Sequence, residues 1–98
     1  MITNKITGID SVGLFTIAVS PGRRLQIGFD NPDGHEFSVV GFLYDSTEAS
    51  RVEFVIESGL TSAQYLKSST SGFAEVGVRI TTDNGNVGGR LEVLESQL

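Results

Sequence analysis

Residues 30–37 read DNPDGHEF and combine the residue types that general acid–base catalysis and metal binding use. They contain His35, the chain's only histidine, within a few positions of the carboxylates Asp30 and Asp33. Catalysis by such a pair also needs a pocket and a positioned nucleophile or water. A calcium loop of the EF-hand type needs oxygen ligands at its third and fifth positions, where this segment has proline and glycine. The segment therefore matches no catalytic or metal-binding motif.

The same residues fit a turn between two strands. In Asn31–Gly34, proline fixes φ at the second position of a type I turn, and Gly34 accepts the left-handed conformation that follows. We expect a tight turn here, with His35 opening the next strand and facing solvent.

The remaining sequence excludes several chemistries. The chain has no cysteine, which excludes disulfides, thiolate metal sites and cysteine nucleophiles, and a single histidine removes the usual zinc patterns. The serines fall in turns or on exposed faces of the predicted strands, and the glycines of Asn86–Arg90 lack the spacing of a phosphate-binding loop. We therefore expect no catalytic residues, no metal and no cofactor, and we do not expect an enzyme.

Two kinds of ligand remain as alternatives. A calcium ion could bind where two loops rich in acidic and amide side chains meet. The residues concerned are Asp30, Asp33, Asp83, Asn84 and Asn86, and Asp10 and Asp45 also fall at predicted strand ends. Carbohydrate is the other candidate, although the chain has no tryptophan to stack on a sugar ring and offers only Tyr44 and Tyr65 as exposed aromatic residues.

Alternation of apolar and polar residues predicts the strands that must position these side chains, because period two marks a strand with one buried face. The residues predicted to face inward are Phe15, Ile17, Val19, Leu25, Ile27, Phe29, Val52, Phe54, Ile56, Ala74, Val76, Val78, Ile80, Leu91 and Val93. Residues 35–45 change phase near Gly41, which indicates either a central strand covered on both faces or a bulge. Residues 58–69 fit an irregular connection with a short strand.

Turn residues separate these runs. Ser20–Arg23 reads SPGR, which is typical of a type II turn, and Asp83–Asn86 reads DNGN, which predicts a hairpin before the last strand. The pattern predicts an all-β, single-domain antiparallel β-sandwich of about six to eight short strands, jelly-roll or immunoglobulin-like, with a small barrel as the alternative. One domain spans residues 1–98, in which residues 1–10 form an N-terminal arm or an edge strand.

The charge pattern bears on partners. Twelve acidic and seven basic residues leave a net charge of −5, and the basic residues are scattered, which argues against a nucleic-acid-binding face. The sequence shows no secretory signal pattern and no apolar stretch of about 20 residues. We therefore expect no membrane partner and a soluble protein in the cytoplasm of the producing cell or in an assembled virion.

A set of apolar residues lies out of phase with the predicted core. If the inward set fills the core, these residues form an apolar patch of the kind that marks a partner surface. The alternative is a central strand covered by the N-terminal arm. The candidate interface residues are Val40, Phe42, Tyr44, Val55, Leu94 and Leu98.

These features favour a non-enzymatic structural or assembly protein that forms a homo-oligomer, with a trimer expected, or docks on a larger protein assembly. In size and predicted architecture, and not through any motif, the chain resembles the small decoration and cement proteins of phage heads. The alternatives are a sandwich module that binds carbohydrate or calcium, and an acidic inhibitor of a basic protein.

Overall fold

The computed structural model describes residues 2–70, 72–82 and 88–96. Within these ranges the chain forms eight β-strands. They are β1 Ile2–Ile9, β2 Gly13–Ala18, β3 Arg24–Asp30, β4 Glu36–Phe42, β5 Glu53–Leu60, β6 Gln64–Thr70, β7 Glu75–Thr82 and β8 Gly89–Ser96. No helix in the described ranges is long and apolar enough to cross a membrane.

The strands pair in a nested order, the first with the last and so on toward the middle of the chain. Strand β1 pairs with β8, β2 with β7, β3 with β6 and β4 with β5, all antiparallel. Two further antiparallel pairs, β3 with β8 and β4 with β7, join them into two four-stranded sheets. Sheet A has the order β1-β8-β3-β6 and sheet B the order β2-β7-β4-β5. The predicted antiparallel β-sandwich is confirmed, and its strand order is that of a jelly roll.

The core lies between the sheets and contains most of the side chains predicted to face inward. In β3, for example, Leu25, Ile27 and Phe29 are buried while their neighbours Gln26 and Asp30 are exposed. The same alternation buries residues of β7 and β8, namely Val76, Val78, Ile80, Leu91 and Val93. Each such side chain contributes about 1.5–3 kcal/mol when fully buried, so this layer holds the two sheets together.

Two predicted turns are confirmed. The amide of Gly34 donates to the carbonyl of Asn31 at 3.1 Å, and Gly34 has a φ of 66°. Likewise the amide of Arg23 donates to the carbonyl of Ser20 at 3.4 Å, with Gly22 at a φ of 85°. The predicted hairpin at Asp83–Asn86 lies outside the described residues.

The structure corrects the prediction for residues 52–56. Val52 and Phe54 are 61% and 44% exposed, and only Ile56 is partly buried. Val52 lies before the first residue of β5, and Phe54 lies on β5, the edge strand of sheet B. At the edge of a sheet even a residue on the core side has neighbours on one flank only, so alternation does not imply burial there.

Three other segments are also settled by the sheet order. Strand β4 is central, between β7 and β5, which agrees with the alternative of a central strand for residues 35–45. Strand β1 lies at the edge of sheet A. The predicted short strand within residues 58–69 extends over seven residues as β6 and pairs with β3 along its whole length.

Candidate functional site

The turn at residues 31–34 contains a buried polar cluster. His35 is fully buried, and its Nε2 lies 3.3 Å from Oδ2 of Asp33. The same carboxylate oxygen accepts a hydrogen bond from the amide of Gly88 at 2.9 Å. The prediction that His35 faces solvent is therefore wrong, because a carboxylate next to it in the turn provides a polar neighbour inside the protein.

Asn31 fixes the position of this cluster. Its side-chain amide donates to the carbonyl of His35 at 2.9 Å and to that of Ser62 at 3.2 Å, while its Oδ1 accepts from the amide of His35 at 3.0 Å. Its backbone amide donates to the carbonyl of Ala63 at 2.8 Å. The cluster thus links the β3–β4 turn to the start of β6. All of these hydrogen bonds join Asn31 to backbone groups of the protein, as expected for a structural role.

The strand-end loops in the described ranges do not assemble a cation site. No group of three or more His, Asp or Glu side chains lies close enough there to hold a metal ion. Asp33 belongs to the buried cluster, and Asp45 accepts hydrogen bonds from the hydroxyl and backbone amide of Thr47, which lower the pKa of Asp45. Asp30 lies at the end of β3, and the remaining candidate ligands, Asp83, Asn84 and Asn86, lie outside the described residues.

Two of the six candidate interface residues are buried within the chain. Val40 and Phe42 are 0% and 3% exposed, although both lie on the face of β4 that points away from the core between the sheets. The guanidinium of Arg51 lies 4.0 Å from the centroid of the Phe42 ring. The premise that Val40 and Phe42 are exposed is wrong, and β1, which pairs in sheet A, does not supply the cover.

Charged side chains cover this outer face of sheet B. Glu75 is 4% exposed and accepts hydrogen bonds from Oγ1 of Thr16 and Nη1 of Arg51, each at 2.7 Å. Beside it, Arg79 donates from Nε and Nη2 to the carboxylate of Glu53 at 2.6–3.1 Å. This paired contact raises the pKa of Arg79. Long side chains from β7 and from the segment around β5 therefore cover the apolar residues of β4.

The exposed apolar surface of the described residues is concentrated at one hairpin. Eight large apolar side chains are exposed, and five of them lie between residues 43 and 55. These five residues form the hairpin patch: Leu43 (51% exposed), Tyr44 (60%), Val52 (61%), Phe54 (44%) and Val55 (56%). The structure thus keeps Tyr44 and Val55 of the predicted interface at the surface and places them beside three residues that sequence reasoning missed.

The hairpin patch has apolar residues on both faces of β5. Val55 pairs with Val40 on the outer face of sheet B, whereas Phe54 pairs with Gly41 on the core side. The rings of Phe54 and Phe73 lie 6.3 Å apart, and Phe73 packs so closely on Gly41 that a Cβ there would lie 2.8 Å away. Hence Phe54 extends the edge of the core to the surface.

The last two interface candidates have different outcomes. Leu94 is partly buried on the outer face of sheet A, away from the hairpin patch, and Leu98 lies outside the described residues. The outer face of sheet A also has two adjoining depressions, of about 180 and 220 Å³, that share Gly28 and Glu92.

The remaining exposed-aromatic candidate, Tyr65, links the two sheets. Its hydroxyl donates to Oε1 of Glu57 at 2.9 Å, and Nζ of Lys67 lies 3.1 Å from the same oxygen. Burial, followed by the bond to Glu57, raises the pKa of Tyr65, while the contacts with Tyr65 and Lys67 lower the pKa of Glu57. Its ring packs edge-on against Phe37 with centroids 5.7 Å apart, so Tyr65 presents no open face for a sugar.

Comparison with known proteins adds no assignment to this geometry. No protein-family model, curated protein or solved structure gives a significant match to the chain. The surface itself must therefore carry any proposal about function.

Proposed function

We propose that this protein is a non-enzymatic assembly protein that associates with a second copy of itself through the hairpin patch. The observation that supports the proposal is the concentration of exposed apolar side chains at residues 43–55. Single apolar residues scattered over a surface are ordinary, but five exposed ones within one short segment of a small protein favour a partner surface.

Free energies indicate what kind of contact the patch would make. Burial of a half-exposed apolar side chain contributes about 1 kcal/mol, so the ten in two facing patches contribute about 10 kcal/mol at most. Loss of translational and rotational freedom on association costs roughly 4–15 kcal/mol. Side-chain burial alone would leave a weak complex, and additional hydrogen bonds are needed for a stable one.

The free edge of β5 supplies those hydrogen bonds. This strand ends the order of sheet B, so one row of its backbone groups faces away from the sheet, and such an edge pairs readily with another strand. The register shifts lie between Val55 and Leu60, whereas the pairing from Glu53 to Val55 is regular. The regular half of β5 is also the half that carries Phe54 and Val55 of the patch.

A second copy is the partner that suits this edge best. Two β5 strands that run antiparallel across a two-fold axis bring the same patch together from both sides, which is the usual geometry of a dimer interface. A cyclic contact between the patch and another surface would give the trimer expected from the sequence. Docking on a larger protein assembly, such as a phage-type capsid, is the other form of the proposal.

The test is the solution mass from size-exclusion chromatography with light scattering, measured for wild type, Val55→Asp and Val12→Asp. Val12 is a matched control because its 61% exposure is close to the 56% of Val55, but it lies in the β1–β2 connection. We expect a closed oligomer for wild type and Val12→Asp, and a folded monomer for Val55→Asp. Phe42→Asp is unsuitable, because Phe42 is buried and a charge there would unfold the chain.

The result also separates the two forms of the proposal. A wild type that stays monomeric up to about 1 mM, where even a weak dimer would form, contradicts self-association. An oligomer that survives in Val55→Asp but dissociates in Val12→Asp places the interface elsewhere and contradicts the role of the hairpin patch.

A further inference from the structure

Gly28 lies in the middle of β3, where neither backbone conformation nor packing within the chain requires a glycine. A glycine inside a strand usually marks a bulge, a tight bend or a place where a ligand or another backbone approaches closely. The register of β3 with both β6 and β8 is unbroken at Gly28, so no bulge accounts for it. A Cβ added there would lie 3.8–4.0 Å from its nearest neighbours, which is ordinary contact.

Every other glycine in the described strands is required by the chain itself. Gly8, Gly13 and Gly59 have positive φ, and a Cβ at Gly41, Gly77 or Gly89 would lie under 3.0 Å from a neighbouring atom. Gly28 has neither property. Of the usual reasons for a glycine within a strand, close approach by a molecule outside the chain remains.

The missing side chain opens a groove on the outer face of sheet A. The groove follows β3, with side chains of β8 along one side and side chains of β6 along the other. It consists of the two depressions that share Gly28 and Glu92. From Asp30 to Gln26 it extends over about 13 Å, at roughly 3.3 Å per residue. Each depression is smaller than the roughly 300–1,000 Å³ of a drug-sized pocket, so a ligand would lie along both.

Charged side chains of both signs lie at the groove. Glu92 lies between two cations, with its Oε1 3.5 Å from Nζ of Lys5 and 3.6 Å from Nε of Arg90. The carboxylate of Asp30 lines the same groove, in register with Arg90. The groove is thus lined by two carboxylates and one guanidinium, and Lys5 lies beside it in contact with Glu92. This lining has no excess of positive charge, which favours a neutral ligand over an anion such as a phosphate or nucleic acid.

The other lining residues narrow the class of neutral ligand. Only Leu66 and Leu94 bring an aliphatic side chain to the second depression, which is too little for a lipid or a purely apolar molecule. Gln26, Gln64 and the carboxylate of Glu92 provide hydrogen-bond donors and acceptors beside them. This mixture suits a molecule with many hydroxyl groups and small aliphatic faces.

An extended peptide would find less to bind. Peptides that dock on β-sheets obtain their affinity from main-chain hydrogen bonds to an exposed strand edge. The backbone of β3 already pairs with β6 on one side and β8 on the other, so the floor of the groove offers a peptide no such edge. Only side chains recognise a ligand in this place.

We propose that this groove is a binding site for a short neutral oligosaccharide, with Gly28 as its floor. The site is separate from the calcium and sugar sites expected at strand-end loops. It also does not depend on self-association, since the hairpin patch lies on sheet B. Because the groove is shallow and has no stacked aromatic ring, binding is weak, with a Kd of about 1 mM.

The test is an NMR titration of the ¹⁵N-labelled protein with maltotriose, cellotriose, mannotriose and chitotriose, each up to about 10 mM, where a millimolar ligand occupies most sites. We expect at least one of them to shift the amide signals of Gln26, Gln64 and Glu92. Gly28→Val fills the groove without a backbone clash, and it should weaken binding at least about fivefold. Gly28→Ala should have a smaller effect in the same direction.

The controls show whether the sugar binds in the groove or elsewhere on the protein. Ala18→Val adds volume at an exposed strand position on sheet B and should bind like wild type. The same spectra report whether each variant is folded. No shift with any of the four sugars, or equal affinity in wild type and Gly28→Val, contradicts the proposal. Shifts of these three amides by an uncharged peptide of Ser, Thr and Gln, and not by the sugars, also overturn it.

Discussion

The outer faces of the two sheets start from the same strand alternation but differ in what lies above the central strands. On sheet B, the outward residues Val40 and Phe42 are apolar and covered by long charged side chains. On sheet A, the outward positions of β3 carry Gln26 and Gly28, and an open groove remains above them. Whether an outward apolar residue is exposed therefore depends on the length of the side chains that neighbouring strands and connections contribute.

Among the variants that test this comparison, substitution of Phe42 should change the free energy of unfolding most. Phe42→Ala should lower the free energy of unfolding by about 3 kcal/mol, because it removes a buried ring and the surface on which Arg51 packs. Tyr44→Ala, two residues further on and 60% exposed, should change the free energy by less than about 0.5 kcal/mol. Urea denaturation of both variants at low protein concentration measures the difference. Equal losses would mean that the outer face of sheet B is not a covered layer.

The two Arg–Glu pairs that cover this face should differ as well. The Arg51 and Glu75 side chains are 19% and 5% exposed, against 43% and 25% for Arg79 and Glu53. Arg51→Ala leaves a buried carboxylate without its cation and should cost about 2–3 kcal/mol. Arg79→Ala breaks a solvated pair and should cost less than about 1 kcal/mol.

Salt provides the control for that second comparison. High salt screens exposed charges more than buried ones, so it should reduce the cost of Arg79→Ala and hardly alter that of Arg51→Ala. Urea denaturation at low and high salt checks both variants. A cost of Arg51→Ala that disappears in salt would show that Glu75 is solvated.

The smallest expected effect is at the open face. Gly28→Ala should raise the free energy of unfolding by about 0.5 kcal/mol, because alanine restricts the unfolded chain and its Cβ meets only ordinary contacts. A gain in stability with a loss of sugar binding would indicate that glycine is kept for the ligand. Destabilisation in the same urea experiment would instead show that the fold requires this glycine.

The strand pattern was predictable from the sequence to a large extent, because burial on one face leaves a period of two. Leu25, Ile27 and Phe29 follow that rule, and so do Val76, Val78 and Ile80. The sequence could not give the strand order, since alternation records which face is buried but not which strand lies beside it. The error at Val52 and Phe54 has this origin: Phe54 lies on an edge strand, where alternation does not imply burial, and Val52 lies just before that strand.

The candidate site was harder to predict. Tyr44 and Val55 were named and are exposed, whereas Phe42 and Val40 are covered by residues such as Arg51 that are close only after folding. His35 gave no sign of burial, because the contacts of Asn31 and Asp33 that hold its turn against Ser62 and Gly88 join distant segments. The groove left one signal in the sequence, a glycine between the inward residues Ile27 and Phe29.

The pairing of β1 with β8 also constrains how the chain can be made. In sheet A, β8 lies between β1 and β3, and in sheet B, β7 lies between β2 and β4. During synthesis the ribosome releases the first six strands before β7 and β8. Only the pairs of β3 with β6 and of β4 with β5 can therefore form early. Until residues 75–96 emerge, β1 and β2 have no strand neighbours, and the nascent chain presents unpaired edges that chaperones would have to cover.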